Sequence, residues 1–281
     1  MSLEIHLDAL IPQQMAEKVE AAGVRKAALP LLSLFVLAIL AGAFIGLGAM
    51  FATTTAAASS NLPYGVARLL VGLTFCLGLI LVVVAGAELF TGNNLIVMAW
   101  ASRKIGTWAL MRNWLVVYVG NFVGSLGTAV LVLLGRQYMA GAGAVGEAAL
   151  GTAAAKMNLG FIQALALGVL CNGLVCLAIW LTFSARSVTD KILAILFPIT
   201  AFVAAGFEHS VANMYFIPYA LLIKAFDPAF ITTRTIDLTN LTWGAFFLKN
   251  LLPVTIGNIL GGAGLVAAIY WFIYLRGKKS S

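Results

Sequence analysis

Charge is what this sequence most conspicuously lacks. Only 10% of its residues are Asp, Glu, Lys or Arg, against roughly a quarter in soluble domains. With 62% hydrophobic residues, such a chain cannot clothe a water-facing surface, so a polytopic membrane protein is the class that remains. Histidine is nearly absent too, with only His6 and His209. The cysteines Cys76, Cys171 and Cys176 all lie inside apolar runs without metal-ligand spacing, so no metal and no cofactor is expected. A Ser-His-Asp arrangement at depth is also missing, which excludes an enzyme of that type. No early apolar stretch follows the N-terminus, so a cleavable signal is not expected. Residues 1–28 instead mix Glu4, Asp8, Glu17 and Glu20 with Lys18, Arg25 and Lys26. They read as an amphipathic cytoplasmic segment, helical after Pro12.

The net charge of +7 does not imply nucleic acid, because the basic residues gather at the ends of apolar runs. Those runs fall near residues 30–52, 69–100, 114–135, 158–183, 192–223 and 250–275. About 20 residues suffice to cross the hydrocarbon core. Runs two and five are too long for that, because as straight helices they would extend ~48 Å. Both carry glycine and polar residues in their middles. Arg103, Lys104, Arg112, Arg186, Lys191, Arg276, Lys278 and Lys279 fall on the same side as the N-terminal segment, which places both termini in the cytoplasm.

Two matches recur in the same order in the two halves. "AGAELFTGN" begins at Ala85, and "AGFEHSVAN" begins 120 positions on, at Ala205. "RNWLVVYVGNFVGSLG" (from Arg112) pairs with "KNLLPVTIGNILGGAG" (from Lys249). The first and fourth runs show no such pairing. The chain therefore reads as a duplicated three-span unit, with halves at about 29–136 and 157–276. Three is odd, so the second copy must insert upside down. The fold class expected is all-α: six transmembrane spans as an inverted 3+3 repeat with broken second and fifth helices. Gly-interrupted segments at corresponding positions of inverted halves point to a binding site at the membrane midplane. Backbone freed there must line a cavity or pack in protein, and half-helix N-termini suit an anion. The Gly120/Gly124 and Gly257/Gly261 pairs read as close helix packing.

An ionisable residue at membrane depth is costly and marks a pathway by default. His209 lies at a break beside Glu208, where burial favours a neutral ring and an arriving anion favours a charged one. Glu88 and Glu208 occupy equivalent places and would repel an anion. A structural role is expected for them and for Asn93 and Asn213: satisfying the freed backbone. Thr91 is read either as a partner of His209 or substrate, or as a simple break residue. Lys156 has two readings, a snorkelling interfacial lysine or a cation that draws anions to a pore mouth.

The stretches "GFEHSVANM", "ELFTGNN", "RNWLVVYVGN" and "LLPVTIGNILGG" together resemble the formate/nitrite transporter family, and among its members the formate channels. The resemblance runs from "LIPQQMAEK" to "YWFIYLR". It implies an aquaporin-like fold, a homopentamer in the bacterial inner membrane with one pore per subunit, and passage of small monovalent anions. Formate is the foremost of these, beside nitrite, acetate, lactate and hydrosulfide. It also implies that His209 is the central histidine, Thr91 the break-loop threonine, Asn172 a conducting-path asparagine and Lys156 an outer lysine. The implied apolar constrictions are Phe75 and Phe202 toward the outside, with Leu79, Leu89 and Phe90 further along. The sequence departs from the formate channels at Gly92-Asn93-Asn94. The function expected is a passive, pH-sensitive channel for formate and related small anions; the alternatives are a nitrite or hydrosulfide channel and a proton-coupled formate carrier on the same scaffold. The absence of Asn-Pro-Ala boxes argues against a neutral-solute channel.

Overall fold

Pro12 opens the first helix, α1 (Pro12–Ala27), at the one turn where its missing N–H loses no helical bond. Arg25 and Lys26 close that helix, set against its partly negative carboxyl end. The computed structural model describes residues 9–57, 59 and 61–277; His6 and the Lys278–Lys279 tail lie outside them. Every regular element among the described residues is helical. After α1 come α2 (Leu31–Ala57), α3 (Tyr64–Ala85), the short α4 (Val97–Ala101) and α5 (Thr107–Leu134). The second half holds α6 (Ala144–Met157), α7 (Phe161–Thr182), α8 (Val188–Ala204), α9 (Ser210–Phe226), the short α10 (Pro228–Thr232) and α11 (Trp243–Tyr274). Helix α11 winds more widely over Phe246–Leu251 and Leu260–Ala268.

Among the described residues, five helices are long and apolar enough to cross a membrane: α2, α3, α5, α7 and α11. Helix α9 is apolar but shorter. Large hydrophobics such as Leu31, Leu32, Leu131, Ile162, Phe197 and Leu248 are exposed on the chain's outside, as lipid-facing positions are. The polar residues point inward: Asn113, Asn121, Asn172, Ser210, Asn213, Asn250 and Asn258 are completely buried.

Both overlong runs break where the sequence predicts. Helix α3 stops at Gly86, whose left-handed φ of 81° lets Ala87 N–H reach back to the Val82 carbonyl at 2.9 Å. Helix α8 stops in the same way: Gly206 has φ of 75°, and Phe207 N–H bonds the Phe202 carbonyl at 2.9 Å. These are Schellman closures, which glycine adopts without a Cβ penalty. The chain resumes as a tight turn over Gly92–Ile96 leading into α4, and as α9 after His209.

Two helix pairs hold the breaks in place. Helix α2 lies against α5 so closely that a Cβ on Gly124 would overlap the Ile39 carbonyl oxygen. Helix α7 lies against α11 in the same manner, with Gly261 facing the Val169 carbonyl. The close-packing reading of both glycine pairs is thereby met.

Candidate functional site

Each break leaves backbone N–H and C=O groups without helical partners, and burial makes unpaired groups costly. Asparagines from α5 and α11 satisfy them. Asn121 on α5 donates from Nδ2 to the carbonyls of Ala38 at 2.7 Å and Glu88 at 2.9 Å, while its Oδ1 accepts Phe90 N–H at 2.9 Å. Asn258 on α11 donates to Gly168 at 2.8 Å and Glu208 at 3.0 Å and accepts Ser210 N–H at 2.9 Å. The Glu88 N–H reaches the Leu37 carbonyl on α2 at 3.2 Å, and the Glu208 N–H reaches Leu167 on α7 at 3.3 Å.

The two carboxylates do something other than expected. Neither accepts from backbone N–H; each is held by side chains. Glu88 pairs with Lys26 Nζ at 2.7 Å and accepts from Asn93 Nδ2 at 2.7 Å. Asn93 also donates to Asn113, whose amide donates to the Lys26 carbonyl. Glu208 pairs with Lys156 Nζ at 2.7 Å and accepts from Asn213 Nδ2 at 2.7 Å. Asn213 donates on to Asn250, which bonds the Lys156 carbonyl. The networks share these bonds, which carry the correspondence back to Lys26 in α1 and Lys156 in α6; they differ in that Lys26 also donates to Asn93 Oδ1 at 3.1 Å and Asn250 also donates to Glu208 at 3.3 Å. Sequence reading did not single out Lys26, Asn113, Asn121, Asn250 or Asn258. The four asparagines were within reach, since both matched segments of the second motif contain them at the same places. Lys26 had a weaker signal, a lone cation a few residues before a span.

Between the networks sits His209, 3% exposed. It caps α9: Nδ1 accepts Ala212 N–H at 3.0 Å. A ring nitrogen that accepts carries no proton, so Nε2 carries it and donates to Thr91 Oγ1 at 2.9 Å. The structure thus brings the histidine and the break-loop threonine together across the two halves. Phe202 stacks on the imidazole with centroids 5.9 Å apart, and Phe75 meets Phe202 edge-on at 5.7 Å.

Two cavities flank this layer. One, of about 430 Å³, is lined by Lys18, Lys26, Glu88, Leu89, Asn93 and Lys191 among others. The second, of about 100 Å³, is lined by His209, Phe75, Phe202, Lys156 and Arg68. Leu79 and Phe90 are buried and line neither of these two cavities. Phe90 instead packs edge-on against Tyr118 at 4.9 Å. Asn172 is likewise fully buried; its amide donates to the carbonyls of Thr91 at 3.3 Å and Asn258 at 2.7 Å, tying the threonine to α11.

A cavity on each side of a neutral, hydrogen-bonding ring suits the passage of a small solute, and comparison with known proteins points to a channel family. The sequence matches the formate/nitrite transporter model over residues 13–272. It is 45% identical over 280 residues to the formate channel FocA of Escherichia coli strain K12, covering 98% of each chain. The structure superposes on a pentameric formate channel with formate bound at a TM-score of 0.82, with 46% identity over 88% of this chain and 98% of that one. It superposes on an FNT family ion channel at 0.78, with 32% identity over 92% and 98% of the two chains. The chain belongs to the formate/nitrite transporter family.

Proposed function

We propose that this chain forms a passive, pH-sensitive channel for formate and related small monovalent anions, assembled as a homopentamer with one path per chain. The named activity of its FocA relative and the pentameric formate channel it superposes on support that reading. The observation that carries it is the layer of Phe75, Phe202, His209 and Thr91 between two cavities whose rims bear lysines.

In this reading the chain crosses the bacterial inner membrane six times as an inverted 3+3 repeat of aquaporin-like form. Helices α3–α4 and α8–α9 are its broken members. Residues 1–28 and 277–281 lie in the cytoplasm and residues 29–276 form the channel. The 430 Å³ cavity then opens inward and the smaller one outward. Phe75 and Phe202 form the outer apolar constriction and Leu89 the inner one, which oblige an anion to shed water. Leu79 and Phe90 back these walls, and Asn172 positions Thr91.

His209 offers the anion a hydrogen bond. Because Nε2–H donates to Thr91, the threonine hydroxyl hydrogen is free to bond an anion entering the layer. Charging the ring requires a proton on Nδ1, where the Ala212 N–H now points. Protonation therefore opens the cap of α9, so pH acts on the layer and on its helix together. Glu88, Asn93, Glu208 and Asn213 hold the breaks and touch no substrate.

Formate flux into proteoliposomes at two pH values tests this. Asparagine is a good N-cap, so His209→Asn should fold and lose the wild-type pH profile; His209→Phe loses the cap as well, at about 1 kcal/mol. If both variants keep the wild-type pH dependence, His209 is not the pH-sensing partner. Nitrite, acetate, lactate and hydrosulfide in the same assay rank the substrates. Unitary currents separate a channel from a carrier with fixed proton stoichiometry.

A further inference from the structure

Lys156 and Lys26, the lysines beside the two breaks, are the obvious source of positive charge, but both are paired. Lys156 Nζ lies 2.7 Å from Glu208, and Lys26 Nζ lies 2.7 Å from Glu88. A paired cation and carboxylate present an anion with a dipole, whose field falls off faster with distance than that of a single charge. Lys156, the end of its pair that lines the outer cavity, therefore attracts an anion there at short range only. Arg68 lines that same cavity, together with Phe75, Phe202 and His209. It projects from α3, and among the described residues no carboxylate pairs with it. Its Nε donates to the Ala204 carbonyl at 3.0 Å and its Nη2 donates to the Val203 carbonyl. Both acceptors belong to the last turn of α8, whose carboxyl end carries partial negative charge. Those contacts fix the guanidinium without cancelling its unit charge. A guanidinium has five N–H donors; with these two engaged, others remain for a carboxylate or a comparable anion.

We propose that Arg68, rather than Lys156, is the residue that selects and concentrates small anions at the outer cavity, ahead of the Phe75–Phe202 constriction. It holds the end of α8 with part of its guanidinium and offers the remainder, with an unneutralised charge, to the incoming anion. The inner cavity follows the same rule. Lys26 is paired there, while Lys18 donates to the Phe183 carbonyl and Lys191 lines the wall, neither with a carboxylate partner among the described residues. This inference rests on the transport reading above and names the outer selectivity residue within it.

The test is initial formate influx into proteoliposomes at about 10 mM and about 500 mM ionic strength, where the Debye length falls from roughly 30 Å to a few ångströms. Wild type should lose flux as salt rises. Arg68→Gln should be about three- to ten-fold slower than wild type at low salt and close to it at high salt, the signature of lost steering. Arg68→Lys keeps the charge and should keep the salt slope. Val71→Glu places a carboxylate one helical turn away on the same cavity wall, within reach to neutralise the guanidinium while Arg68 itself is kept. It should reproduce the effect of Arg68→Gln even if that variant fails to assemble. A wild-type salt slope in Arg68→Gln or Val71→Glu, or a lost slope in Arg68→Lys, overturns the proposal. Absence of formate flux in the wild type would instead count against the transport reading itself.

Discussion

Glu88 and Glu208 each pair with a lysine and accept from an asparagine, but their pairs differ in burial. The Lys156 side chain is 15% exposed where that of Lys26 is 34% exposed. Removing one partner of a buried ion pair leaves the other charge without compensation, at about 3–5 kcal/mol. Glu208→Ala should therefore lower thermal stability in detergent by that order, and Glu88→Ala by clearly less, because water screens Lys26 better. Equal losses would mean that the two networks are energetically alike despite their exposure. Much at this scale was legible beforehand. The duplicated Ala-Gly-x-Glu motif located both carboxylates, both asparagines and His209. Their partners were harder to foresee, because a hydrogen bond joins residues far apart in the chain. The carboxylates were expected to hold backbone N–H groups, whereas the asparagines of α5 and α11 do so. A carboxylate can only accept; an amide both donates and accepts, and a broken helix needs both services.

Helices α2 and α7 show what sequence comparison cannot reach. They correspond in the structure: Leu37 and Leu167 offer carbonyls to the breaks, and Ala38 and Gly168 offer theirs to the asparagines. Main-chain oxygens bear no side-chain signature, so the two runs look unrelated in sequence. The helices they pack on were easier to recognise, since close approach of two backbones demands glycine. Gly261→Ala should destabilise the protein by about 1–3 kcal/mol through overlap with Val169. Gly264→Ala, which meets nothing within 4 Å, should be neutral or stabilising by up to about 1 kcal/mol from helix propensity. Thermal unfolding of the two variants side by side checks this, and equal losses would contradict the packing account. Helix α6 went unread because a short alanine-rich stretch between spans lacks the length that marks a membrane helix.

For the whole molecule, the two broken helices, stopped alike at Gly86 and Gly206, enclose a single neutral imidazole, with a cavity on each side. If the two halves insert as the proposed inverted repeat, those cavities open to opposite faces of the membrane. The most direct measurement is labelling of single cysteines by a membrane-impermeant maleimide, added to either face of sealed vesicles. Cys76, Cys171 and Cys176 are buried and free, so they should label slowly from either side. Ala185→Cys, lining the larger cavity, should label from the cytoplasmic face alone. Thr152→Cys, lining the smaller one, should label from the outer face alone. Labelling of both from one face would contradict the account.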